Sequence, residues 1–321
     1  MQMIKNFKDL SNKDTKIAGG KGASLGEMTN AKIPVPRGFV VLASAFDKFM
    51  EDTDSIREEN AMLDRINIQS AENIEEQSEI MRDVILKKEF SKDLAKEILK
   101  EFDKLGAKYV AVRSSATAED SKIDAWAGQL ESYLYVEKKG LLKAVQKCWA
   151  SLYTPRALFY RIERNMRRKQ VSVAVVIQKM ANSNVSGVCF TVHPVTKDKD
   201  QMIIEACWGL GEALVQGIIT PDSYVIEKSQ ITNPKLQKNN GIIDINIGNQ
   251  ERMIIRGKGG TIEKSVPQKL RKKQKLTEKQ IKELAKICIE IEKHYKDPRD
   301  IEWALEGNKF YIVQSRPITT L

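Results

Sequence analysis

Apolar positions recur along this chain with two different periods, and each change of period marks a change of element. Short apolar or alternating runs predict strands over 38–42, 109–112, 130–136, 171–180, 185–192 and 202–207, then over 224–227, 242–247 and 253–255. Between 44 and 105 the pattern is helical and highly charged, with Ile80, Val84 and Ile85 among its apolar positions. Residues 21–31 predict a short helix preceded by glycines and stopped before Pro34 and Pro36, and 141–168 predict two helices split near Pro155. Thr277-Glu278-Lys279-Gln280 reads as a capping box. It opens a helix whose Ile281, Leu284, Ala285, Cys288 and Ile291 share one face. Strands and helices mix without one-to-one alternation, which predicts an α+β fold rather than a doubly wound sheet.

The C-terminal runs carry the most chemistry. Residues 300–304 and 310–317 are β-forming stretches around a Gly307-Asn308 turn, the pattern of a hairpin. Side chains alternate along a strand, so Asp300 and Glu302 share a face, as do Gln314 and Arg316. A loop with an odd number of residues would set Glu302 opposite Gln314 and Asp300 opposite Arg316, with Trp303, Leu305, Tyr311 and Val313 facing the core. Hard oxygen ligands suit Mg²⁺ and Arg clamps phosphate, so this surface could hold both. A solvated hairpin face with an Asp–Arg cross-strand pair is the alternative.

Composition narrows the classes. At 321 residues, 41% hydrophobic and 30% charged, the chain can bury a substantial core in more than one lobe. No apolar run approaches the roughly 18 residues needed to span a bilayer, and the first residues lack a signal-peptide core. Cys148, Cys189, Cys207 and Cys288 lie far apart in apolar contexts, which predicts reduced core thiols and a cytoplasmic location. The formal charge of +10 concentrates at 161–169 and 269–282. Aromatic residues are not interleaved with these clusters, which disfavours nucleic acid. Solvated helix faces, or a dock for an acidic partner or anionic substrate, remain.

Several shorter motifs offer phosphate chemistry. Gly19-Gly20-Lys21-Gly22-Ala23-Ser24-Leu25-Gly26 fails the Walker and dinucleotide patterns, yet glycines, a helix N-terminus and Lys21 together favour anions. Arg113, at the predicted end of a strand, is followed by Ser114, Ser115 and Thr117, hydroxyls that could help grip phosphates. Ala127-Gly128-Gln129 could form a flap over a nucleotide, with Ser132 nearby. Gln178 and Met180 end an apolar strand, where free backbone groups could read an adenine edge while Met180 packs on the ring. His193 and His294 lack carboxylate or hydroxyl partners at a telling spacing and read as structural.

Taken together these segments are specific. Residues 19–28, 34–39, 112–120, 126–129 and 186–191, Gly209-Leu210-Gly211-Glu212-Ala213 with Thr220-Pro221-Asp222, and the closing hairpin carry the resemblance. In them the chain resembles the N-terminal ATP-grasp domain of the phosphoenolpyruvate synthase (pyruvate, water dikinase) family. Pyruvate phosphate dikinase and rifampin phosphotransferase share that domain. The resemblance implies an ATP-grasp fold with two lobes enclosing a nucleotide cleft: an N-terminal lobe over 1–180 with a helical insertion at about 50–105, and a C-terminal lobe over 181–321. It implies ATP and Mg²⁺ as cofactors. Lys21 and Arg113 would hold the triphosphate, Gly128 and Ser132 would lie in the loop over it, and Gln178 and Met180 would sit by the adenosine. Glu302 and Gln314 would ligate the metal with Asp300 in support, and Arg316 would contact the transferring phosphates.

Ser132 stands where relatives carry threonine, and His193 where they carry Asp or Asn, which argues against a phosphorylated His193. The family's partners are a phosphohistidine domain and a pyruvate- or antibiotic-binding domain. They would lie on a separate chain or in a missing segment. The alternatives are the ATP-binding module of a rifampin-type antibiotic phosphotransferase, or a non-catalytic nucleotide- or nucleic-acid-binding module.

Overall fold

The computed structural model describes residues 2–117, 131–167, 169–233 and 241–318, in two compact units. The first comprises 1–27 and 37–180, the second 28–36 and 181–321.

The first unit is built on a five-stranded antiparallel sheet in the order β1-β2-β5-β3-β4. Its strands are β1 (Ile4–Asn6), β2 (Gly38–Val41), β3 (Val110–Ala116), β4 (Ser132–Val136) and β5 (Val173–Lys179). Helix α1 (Thr15–Asn30) begins in this unit. The charged stretch folds as α2 (Ala43–Asp52), α3 (Ser55–Arg65), α4 (Ala71–Lys87) and α5 (Lys92–Leu105), followed later by α6 (Leu141–Ala150) and α7 (Pro155–Glu163). Pro155 falls at the first position of α7, where its missing N–H costs nothing. One sheet face, carrying Phe39, Val41, Val110, Val112, Val175 and Ile177, packs on these helices around Trp149, Phe46 and Phe49.

The second unit holds a six-stranded antiparallel sheet in the order β13-β12-β6-β7-β8-β9 and a separate two-stranded ribbon, β10–β11. The strands are β6 (Val185–Phe190), β7 (Gln201–Trp208), β8 (Asp222–Glu227), β9 (Ile242–Asn246), β10 (Arg252–Gly257), β11 (Gly260–Ser265), β12 (Arg299–Glu306) and β13 (Lys309–Pro317). Two short helices, α8 (Glu212–Val215) and α9 (Lys228–Thr232), flank β8. The capped helix is α10 (Glu278–Tyr295). Thr277 Oγ1 accepts from the Gln280 amide at 3.3 Å while Gln280 Oε1 accepts from the Thr277 amide at 2.9 Å, so the expected capping box forms. Its buried face includes Ile281, Leu284, Ala285, Cys288 and Ile291, and Cys288 lies against Cys189 of β6. All four cysteines are free and buried.

Two short strands escaped the periodicity. β1 spans three residues and β11, largely exposed, has no apolar face to signal it. The fold is α+β, as the mixed pattern predicts. Among the described residues no helix is long and apolar enough to cross a membrane.

Candidate functional site

In the first unit, the sheet face opposite the helical core gathers the expected residues. Arg113 pairs with Ser132 across β3–β4 and with Val176 across β3–β5, while Gln178 lies two residues along β5 from Val176. Parity therefore puts Arg113, Ser132, Ser115 and Gln178 on one face. Helix α1 lies against it. Gly19 interrupts the helix at φ +65°, and a Cβ there would meet Ser115 Oγ at 2.2 Å, so only glycine fits. Beyond this kink Ser115 Oγ accepts from the backbone amides of Lys21 at 3.1 Å and Gly22 at 3.4 Å. Lys21 is thereby fixed, half-buried, at the start of the helix's second part.

Three expectations about this face change. Strand β3 runs to Ala116, so Arg113 sits mid-strand rather than at a strand end. The neighbouring hydroxyls are engaged in structure. Ser115 caps α1, Ser114 Oγ donates to the Glu131 carbonyl at 2.6 Å, and Thr117 Oγ1 donates to the Ser172 carbonyl at 3.0 Å. The strand that carries Gln178 is the middle strand of the five, not an edge. The amides of Lys179 and Met180 already donate to Arg37 and Tyr109 carbonyls at 2.9 and 3.1 Å. Local sequence cannot reveal these, because each partner lies 17 or more residues away. Gln178 itself is 2% exposed, and its Nε2 has no hydrogen-bond partner among the described residues. A buried donor left unmet costs about 1–3 kcal/mol, so it is a place where a ligand acceptor would be welcome. Gly128 lies outside the described residues.

The closing hairpin forms in the second unit. Gly307 (φ +61°) and Asn308 make a two-residue turn between the Glu306–Lys309 pair. An even turn alone would shift Glu302 and Gln314 out of register. A β-bulge restores it: Trp303 pairs with Ile312 and Glu302 with Gln314, leaving Val313 as the extra residue. Asp300 then pairs with Arg316. The expected juxtaposition thus arises by a turn plus a bulge rather than by an odd loop. The even turn also sets the core side of β13 next to it. Phe310 and Ile312, not Tyr311 and Val313, join Trp303 and Leu305 in burial.

Arg316 Nε and Nη2 reach Asp300 Oδ2 at 2.8 and 2.7 Å, so Asp300 is held by the guanidinium. Gln314 is 7% exposed and Glu302 is half-buried beside it. Sequence reasoning missed one neighbour. Val188 of β6 pairs with both Glu302 and Glu205 of β7, so Glu205 shares the row and the face. The one sign of it was a lone carboxylate inside the apolar run 202–207. Burial, and then the charge of Asp300, push the Glu205 carboxyl above its ordinary value. Burial also raises Asp300, against the opposing pull of Arg316. The carboxylates of Asp300, Glu302 and Glu205 thus share one face of the sheet. Among the described residues no three acidic, Cys or His side chains converge as a complete metal cage.

His193 Nδ1 accepts from the amides of Val195 and Thr196, both at 3.2 Å, and His294 stacks edge-on to Tyr295 at 5.2 Å.

The family model described as pyruvate phosphate dikinase, AMP/ATP-binding domain, matches residues 15–321. The chain belongs to this family. A protein named probable phosphoenolpyruvate synthase from Methanocaldococcus jannaschii is 43% identical over all of this chain and 27% of its own length. The phosphoenolpyruvate synthase of Pyrococcus furiosus is 38% identical over all of this chain and 44% of its own length. A rifampicin phosphotransferase from Bacillus cereus is 37% identical over 99% of this chain and 36% of its own length. The pyruvate phosphate dikinase AMP/ATP-binding domain seen here thus spans less than half the length of these relatives.

Proposed function

We propose that this chain is the ATP-binding module of a phosphoenolpyruvate synthase-like dikinase. It binds Mg·ATP and supports cleavage to AMP while the terminal phosphates pass to a histidine on a phosphohistidine domain, for later transfer to pyruvate. The observation that carries the reading is the paired row on the hairpin, Glu302 with Gln314 and Asp300 with Arg316. Lys21 and Arg113 would bind the triphosphate as fixed charges, and Gln178, with its unmet amide, would contact the adenosine. Met180 would pack by the base, and Gly128 and Ser132 would belong to the covering loop. Glu302 and Gln314 are the residues that would hold Mg²⁺, with Asp300 orienting Arg316. The metal would neutralise charge on the phosphates. Phosphoryl transfer needs positioning and electrostatics more than a protein nucleophile, which fits a face of fixed charges. Buried, free thiols support a reducing, cytoplasmic setting.

Isothermal titration of ATP with and without Mg²⁺ tests this, beside Glu302→Gln. Mg-dependent binding that Glu302→Gln weakens at an unchanged melting temperature is the expected result. Metal-independent binding, or a variant that simply unfolds, would assign Glu302 to structure. A second reading, the ATP module of a rifampicin-type phosphotransferase, draws on the Bacillus cereus relative. Supplying a phosphohistidine domain and offering pyruvate or rifampicin as acceptor separates the two.

A further inference from the structure

The net charge of +10 is not spread over the molecule. Between residues 251 and 282 there are eleven Lys and Arg against three Glu, so one tenth of the chain carries most of the excess. In the second unit this stretch folds as the β10–β11 ribbon, the connector after it and the first turn of α10. Two of its three acids are matched within it: Glu263 pairs across the ribbon with Arg252 at 3.3 Å and Glu251 with Arg271 at 3.6 Å. Lys258, Lys264, Lys269, Lys272 and Lys273 are exposed and have no ion pair among the described residues.

The connector is held rigidly. The Gln250 amide donates to the Arg271 carbonyl at 3.0 Å, and Arg271 Nε donates to the Val266 carbonyl at 3.2 Å. Lys275 is sealed against Asp222 at 2.6 Å. Asn249, Gln268, Lys269, Arg271, Lys272 and Lys273 line a depression of about 490 Å³ there. A rigid backbone presenting unneutralised cations lowers the ordering cost of an anionic partner.

We propose that this basic face docks an acidic surface of a partner protein, independently of the nucleotide reading above. The composition selects that partner. Eight of the eleven cations are Lys, mobile point charges rather than the planar forks favoured for phosphate and nucleic-acid recognition. No aromatic residue stands between 251 and 282 to stack a base. Lysine-rich complementarity of this kind steers a transient, salt-sensitive association.

The test is fluorescence anisotropy with a fluorescein-labelled decaglutamate peptide at low and high salt. The full chain should bind at low salt and release at high salt. Lys269→Glu/Lys272→Glu/Lys273→Glu should weaken binding by at least about tenfold, as expected for reversed charges at a contact. Lys92→Glu/Lys96→Glu/Lys100→Glu on the exposed side of α5 changes net charge equally and should alter binding less than about twofold. Melting curves of both variants establish folding, and Lys→Gln replacements serve if the first triple variant unfolds. Equal losses in the two variants would reduce the effect to net charge and overturn the proposal. So would absent binding at low salt, or tighter binding of an oligouridylate of equal length.

Discussion

Two aspartates of the same sheet each contact a cation at under 3 Å, yet they live in opposite circumstances. Asp222 of β8 and Lys275 are both fully buried. The Asp222 carboxylate collects four donors: Lys275 Nζ at 2.6 Å, the Gly248 amide at 3.0 Å, the Lys275 amide at 2.8 Å and the Tyr224 hydroxyl at 2.8 Å. Asp300 of β12 takes Arg316 alone as hydrogen-bond donor among the described residues, and half of the Arg316 side chain is exposed. A buried charge is tolerated only when fully partnered. Asp222 therefore ties the segments around 248 and 275 to β8, while Asp300 leaves room for something else to complete it. Complete satisfaction marks architecture. Incomplete satisfaction on an accessible face is what the proposed site displays.

The sharpest way to break this contrast is at the sealed pair. Asp222→Ala leaves Lys275 buried and unpaired and should cost about 3–5 kcal/mol, seen as a large fall in denaturant midpoint. A loss under about 1 kcal/mol would mean that water enters and the pair is not sealed.

Arg316→Ala removes a half-exposed partner of Asp300 and should cost about 1 kcal/mol or less in unfolding. It should weaken Mg·ATP binding by about 1.5–3 kcal/mol, roughly ten- to hundredfold in Kd. Unchanged titration isotherms would return the Asp300–Arg316 pair to surface chemistry.

Gln178 extends the contrast to a neutral group in the first unit. Gln178→Leu removes the unmet amide and should stabilise the protein by on the order of 1 kcal/mol while weakening ATP binding. Stabilisation without loss of binding would separate this amide from the nucleotide.

The smallest effect belongs to Asp300→Asn. Asp300 and Glu205 are both raised by burial. Such groups contribute stability that is present below the ordinary carboxylate value and lost as pH rises through the raised folded value. Melting temperature should therefore fall across that acid range, Mg²⁺ should recover part of the loss above it, and Asp300→Asn should flatten the profile. A profile unchanged by the substitution would show that Asp300 does not titrate against folding.

Much of this was legible in local sequence. The box at Thr277 and Gln280, the turn at Gly307-Asn308 and the apolar settings of the cysteines are short-range signals, and each is realised. The partner residues were not. Ser115 and the Lys21 amide are 94 positions apart, and Glu205 meets the hairpin row only through β6. Nothing near Val313 announces a bulge, since any residue can be extruded where turn and core packing disagree on register.

By itself, then, the sequence determined most of the longer elements, which residues carry charge and amide chemistry, and which family pattern they compose. Periodicity, capping and turn preferences act over a few residues and need no knowledge of the rest. Only the tertiary structure decided which hydroxyls are consumed as caps, which strand is central, and which carboxylates share a face. Those depend on strand order and register, which burial sets across the whole sheet and no local stretch encodes.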